Sequence, residues 1–111
     1  MLEELRMSLG DKFPAVVRLY LSDTRNQLHI IERILLAQHD VSRIVLAAHS
    51  IRASSAHMGD ARMVDAANAL EVAAQDMGKG AAHQELLFLL GQIKSIFDET
   101  VKSLEVHGKA P

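Results

Sequence analysis

The stretch FPAVVRLYLSDTRNQLHIIERILL, residues 13–36, decides the fold class. Within it Phe13, Val17, Tyr20, Thr24, Leu28, Ile31 and Leu35 recur at steps of three and four, the spacing of one buried helix stripe and not of a strand. Pro14 falls in the first turn, where its missing N–H is no loss. Asp11, just upstream, has the right chemistry for an N-cap. Gly10 closes a short amphipathic segment over residues 2–9, and "QHD" at residues 38–40 closes the long helix, with Asp40 placed to cap the next.

The same step continues outward. Ile44, Ala48, Ile51, Ser55 and Met58 form a second stripe that stops at Gly59, and Asp60 offers a fresh N-cap. Met63, Ala67, Leu70, Ala74 and Met77 form a third, ended by "GKG" at 78–80. Leu86, Leu90, Ile93, Phe97, Thr100 and Leu104 form a fourth, followed by a polar tail over 107–111, "HGKAP". Gly91 lies inside that last stripe at a cost of roughly 1 kcal/mol against Ala. No alternating strand pattern, internal repeat or low-complexity segment competes. Short connections make successive helices antiparallel neighbours, so the expectation is all-α: an up-down-up-down antiparallel four-helix bundle, about residues 11–106, with a short N-terminal helix, all in one domain.

Bulk composition narrows the function. Hydrophobic residues make up 49% but aromatics only 4%, which suits helix packing. A formal charge of −2 disfavours phosphate-backbone binding, so no nucleic-acid partner is expected. The chain has no cysteine, which removes disulfides and thiolate metal sites. The start, MLEELRMSLG, has two early acids and no apolar core of a signal peptide. No run approaches the ~20 apolar residues of a membrane helix. The reading is a soluble cytoplasmic protein without a membrane partner, and a monomer, since each stripe can be satisfied within one bundle.

The stretch AAHSIRASSAHMGD, residues 47–60, surrounds His49 with the smallest side chains available. At ~100° per residue His49 lies beside the core stripe, on a face with Val45, Leu46, Arg52, Ala53 and Ala56. Methyl groups where exposed helices usually carry long charged chains leave a low surface that another protein can approach. Arg52, three residues on, projects from the same face and can reach an anion held at the imidazole. Glu71 stands among Ala67 and Ala74 against the apolar seam, an odd place for a carboxylate without a partner. Ten residues back and twelve forward from Gly59 bring His49 and Glu71 to similar heights, about 15–18 Å along each helix. A hydrogen bond from Glu71 to one ring nitrogen would orient the ring and leave the other nitrogen nucleophilic.

The run His49-Ser50-Ile51-Arg52-Ala53-Ser54-Ser55-Ala56-His57-Met58-Gly59 resembles the signature of histidine phosphotransfer (HPt) domains. That signature reads His, any residue, an aliphatic, Lys or Arg, Gly, two small residues, two variable ones, an aliphatic, then Gly. Leu70-Glu71 is similar to the aliphatic-Glu/Gln pair of the same family, and the upstream pattern from Phe13 to Asp40 to its second helix and following turn. Ala53 departs from the family's Gly, which bears on the rate of transfer or the choice of partners. The resemblance implies a two-component phosphorelay intermediate with His49 as phosphoacceptor, Arg52 stabilising the phosphoryl group and Glu71 orienting the ring. Val45, Ala53 and Ala56 would then lie on the docking face. Implied partners are response-regulator receiver domains, which bring their own Mg2+, and a hybrid sensor histidine kinase. No nucleotide-binding loop resembles one that would allow self-phosphorylation, so the chain is not expected to be a kinase and needs no cofactor of its own.

Two other readings compete. The chain could be a helical interaction module without chemistry, its low Ala face a groove for a partner helix. It could also be the phosphoaccepting N-terminal domain of a chemotaxis-type histidine kinase. The remaining histidines, His29, His39, His57, His83 and His107, form no His-x3-His pair, and no Glu-x-x-His motif occurs, so no metal site is expected. His57 reads as a helix-end residue. Ser54 and Ser55 read as small packing residues with no base to activate them.

Overall fold

The computed structural model describes residues 2–37, 42–76 and 83–108. The order is α1 (Leu2–Leu9), a single 3-10 turn (Gly10–Lys12), α2 (Phe13–Ala37), α3 (Ser42–Met58), α4 (Ala61–Gln75) and α5 (His83–Gly108). Among the described residues there is no strand. The long helices α2 to α5 form the up-down-up-down bundle, each packed on its neighbours in the cyclic order α2, α3, α4, α5, with α1 against α2. The molecule is a rod of 49 × 19 × 18 Å.

Each position of the stripe read in α2 is buried, and Leu21 and Ile34 join it. A 25-residue helix carries its core face through seven turns, so the apolar arc drifts wider than one strict stripe. The most extensive helix packing is between α3 and α4. Its inner faces hold Ala47, Ala48 and Ser55 on one side and Ala67, Ala73 and Ala74 on the other, all buried, and such short side chains let two backbones approach.

The hairpin between α3 and α4 is built from two residues. Gly59 adopts φ 74°, its N–H donates to the Ala56 carbonyl at 3.0 Å, and the Asp60 N–H donates to the Ser55 carbonyl at 2.8 Å. These two bonds make a Schellman stop, and only glycine takes that φ without strain. Asp60 caps α4 as expected, its side chain accepting from the Met63 N–H at 3.4 Å. It also does more. Its Oδ2 accepts from the Tyr20 hydroxyl at 3.3 Å and the Thr100 hydroxyl at 3.0 Å, while Tyr20 and Ser55 share a 2.7 Å bond. The buried Asp60 carboxyl thereby ties α2, α4 and α5 together, and Tyr20 carries the link on to α3 through Ser55. Burial pushes the Tyr20 phenol above its ordinary range, so it stays a neutral donor.

Three expectations change or pass out of view. Asp11 is not an N-cap but an exposed residue within the 3-10 turn. Gly10 takes φ 58° and its carbonyl accepts the Phe13 N–H, so the turn itself satisfies a donor that a capping side chain would have taken. The helix α5 also runs on through His107 and Gly108 into the stretch read as a tail, because polar side chains do not by themselves stop a helix. Asp40, His39, Met77 and the "GKG" break lie outside the described residues. Outside the core, Lys94 pairs with Glu32 at 2.6 Å and Arg62 pairs with Glu99, linking α5 to α2 and to α4.

Candidate functional site

His49 stands near the middle of α3 with its side chain 57% exposed. The core residues Ala48 and Ile51 on either side turn the opposite face of the helix inward. The ring therefore leans over the groove toward α4, where Glu71 rises from the neighbouring helix with only 12% of its side chain exposed.

Three side chains meet there. Arg52 Nε donates to Glu71 Oε1 at 2.9 Å, and Arg52 Nη2 lies 2.8 Å from His49 Nδ1. Glu71 Oε2 is 3.5 Å from the same Nδ1, an ion-pair distance for a protonated ring but longer than an ordinary N–H···O bond. The sequence places Glu71 directly on the ring, whereas the short contact is made by Arg52. Arg52 sits one turn from His49, and its planar fork spans the ring and the carboxylate together. The Arg52 guanidinium bonded to Glu71 holds that carboxyl below the usual carboxylate range, against partial burial that works the other way.

The surrounding surface is low, as the small residues imply. Ala53 and Ala56 are exposed, and Ser50 is exposed beside the ring. Ser54 turns its hydroxyl back onto the helix, donating to the carbonyls of Ser50 at 3.1 Å and Ile51 at 3.2 Å. Val45 is half-buried against the core, while Leu46 stands 70% exposed beside it. His57 lies exposed in the last turn of α3. One residue of this region was not singled out from the sequence: Val72, next to Glu71 on α4 and 47% exposed. Its signal is an apolar side chain off the Met63–Ala67–Leu70–Ala74 stripe.

Among the described residues no group of three or more His, Cys, Asp or Glu side chains could hold a metal ion. Among them also, no helix is long and apolar enough to cross a membrane.

The family model described as "Hpt domain" matches residues 15–102. The chain belongs to the Hpt domain family. The matched span starts in the first turn of α2, ends in α5, and includes His49, Arg52 and Glu71. No curated protein and no solved structure gives a significant match. Hpt domains are phosphotransfer modules of two-component systems that work with receiver domains and are not themselves kinases. The departure at Ala53 places one exposed methyl a single turn along α3 from His49.

Proposed function

We propose that this Hpt domain is a phosphorelay intermediate in which His49 takes a phosphoryl group from one receiver aspartate and delivers it to another. The observation that carries this reading is the exposed His49 ring tethered on one nitrogen by Arg52, with Glu71 behind both. An imidazole held on one edge leaves its other nitrogen, Nε2, facing outward, and that nitrogen can attack once its lone pair is free of a proton. Attack by Nε2 forms the N–P bond as the P–O bond to the receiver's aspartate breaks, and the aspartate leaves as a carboxylate.

In this reading Arg52 offers a cation to the phosphoryl oxygens, and Glu71 balances the positive charge that the ring acquires on phosphorylation. Mg2+ bound by the receiver would neutralise charge on the phosphoryl oxygens. Val45, Leu46, Ala53, Ala56 and Val72 form the docking face, their low or apolar side chains compatible with close approach of a receiver's rigid surface. The donor would be the receiver of a hybrid sensor histidine kinase, and the protein would act in the cytoplasm as a monomer.

The test is phosphoryl transfer from a panel of aspartyl-phosphorylated receivers with Mg2+, comparing wild type with His49→Gln. An acid-labile, base-stable phosphate on the wild type alone is the expected result. Labelling that persists in His49→Gln would move the phosphoacceptor elsewhere. A receiver that binds but never labels the protein would favour a docking module without chemistry.

A further inference from the structure

The 2.8 Å contact between Arg52 Nη2 and His49 Nδ1 has only one possible direction. A guanidinium is all donor and carries no lone pair to accept with. Nδ1 must therefore present its own lone pair, and the single proton of the neutral ring sits on Nε2. Among the described residues no hydrogen bond reaches Nε2, so it is the nitrogen left to a partner. A ring nitrogen that bears hydrogen has no in-plane lone pair and cannot attack phosphorus. The resting arrangement thus holds the ring in the unreactive tautomer for attack through its open edge.

The reactive tautomer has a place waiting. With its proton on Nδ1, the ring would face Glu71 Oε2, now 3.5 Å away, so a small rotation makes a charge-assisted bond. Ionised, Glu71 has no proton to donate and is purely an acceptor, and its bond from Arg52 Nε favours that form. Arg52 and the Nδ1 proton exclude each other, because two donors cannot share one line.

We propose that Arg52 is a tautomer latch: seated on Nδ1 it keeps His49 inert, and its movement to an incoming phosphoryl group lets the proton pass to Nδ1 and bares the Nε2 lone pair. The inference rests on the phosphotransfer reading and adds to it a reason for the ring to become nucleophilic only when a phosphoryl group arrives. The proton balance closes through solvent, with one proton leaving Nε2 for water and one reaching Nδ1 from water. The Nε2 lone pair then forms the N–P bond while the receiver's carboxylate departs, and the cationic ring keeps its Nδ1 proton against Glu71. Arg52 acts here as a positioning residue, through the ring.

The test reads the tautomer directly, by long-range 1H–15N correlation on histidine-labelled protein at about pH 9, above the ordinary imidazole range. Wild-type His49 is expected as the Nε2–H form. In Arg52→Ala the ratio should move toward Nδ1–H by roughly tenfold, the size of one charge-assisted hydrogen bond gained at Glu71. Arg52→Lys, which keeps a donor for Nδ1 but has no fork, should move it less. Adding Glu71→Gln to Arg52→Ala should undo most of the shift. A wild-type ring already in the Nδ1–H form, or an unchanged ratio in Arg52→Ala, would overturn the latch. The ratio is read on the free protein, so its failure leaves the relay reading standing. A failed transfer assay likewise leaves the tautomer result intact.

Discussion

Replacing Tyr20 by Phe removes one buried hydroxyl beside the α3–α4 hairpin and leaves the ring to pack as before. Two hydrogen bonds go with it, to Ser55 Oγ at 2.7 Å and Asp60 Oδ2 at 3.3 Å. The short bond joins buried groups, and the longer one reaches a buried carboxyl that keeps Thr100 and the Met63 N–H as donors. At about 1 kcal/mol net for each bond, Tyr20→Phe should cost about 2 kcal/mol. For a domain of this size that lowers Tm by roughly 8–16 °C. Ser55→Ala should cost about 1 kcal/mol, because Tyr20 still donates to Asp60. The double variant should cost only about 2 kcal/mol, since the Tyr20–Ser55 bond is lost once and not twice, giving a coupling of about 1 kcal/mol. Urea unfolding followed by far-UV circular dichroism, with unchanged m-values, measures all four corners of the cycle. Additive costs, with a double variant about 3 kcal/mol below wild type, would mean that the two hydroxyls do not meet and that the polar pin between α2 and α3 is absent.

Gly91 is exposed in α5, and a Cβ built there meets nothing within 4 Å, so Gly91→Ala should raise stability by about 1 kcal/mol in the same urea assay. Ala53→Gly should lower stability by about 1 kcal/mol as a helix-interior glycine, while phosphoryl transfer to His49, timed by rapid quench, becomes faster as the methyl beside the ring is removed. Glu71 has its carboxyl pKa lowered by the Arg52 bond, so its contribution to stability is complete above the unfolded value of about 4.3 and is lost as pH falls through the folded pKa. Glu71→Gln should therefore flatten the fall of stability with acid below about pH 4.3, measured as urea midpoints across pH. An unchanged acid slope would mean that Arg52 does not hold Glu71 in solution.

The helices were legible because their signal is local. The burial of Phe13, Val17, Tyr20, Thr24, Leu28, Ile31 and Leu35 follows from a helical period that neighbouring residues already display. Gly59 and Asp60 were legible for the same reason, a stop and a cap being written in adjacent residues. Asp11 misled because a capping side chain and a 3-10 turn compete for the same N–H, and the φ of Gly10 decides between them. The further bonds of Asp60 could not be read, since its donors Tyr20 and Thr100 come from other helices and meet it only once the bundle closes.

At the site, the proximity of His49, Arg52 and Glu71 followed from helix geometry and a two-residue hairpin. Their pairing did not. Whether the ring bonds the carboxylate or the guanidinium depends on rotamers within a few ångströms, and here Arg52 takes both partners at 2.8 and 2.9 Å. In the latch proposal that choice sets which nitrogen of His49 carries the proton.

The most direct test of the account is a pulse and chase. Wild-type protein is labelled from a phosphorylated receiver, freed of it, and mixed with a second, unphosphorylated receiver and Mg2+. The expected result is an acid-labile phosphate on His49 that disappears as an aspartyl phosphate grows on the second receiver, with neither signal in His49→Gln. Label that appears in His49→Gln, or label on His49 that no receiver ever removes, would contradict it.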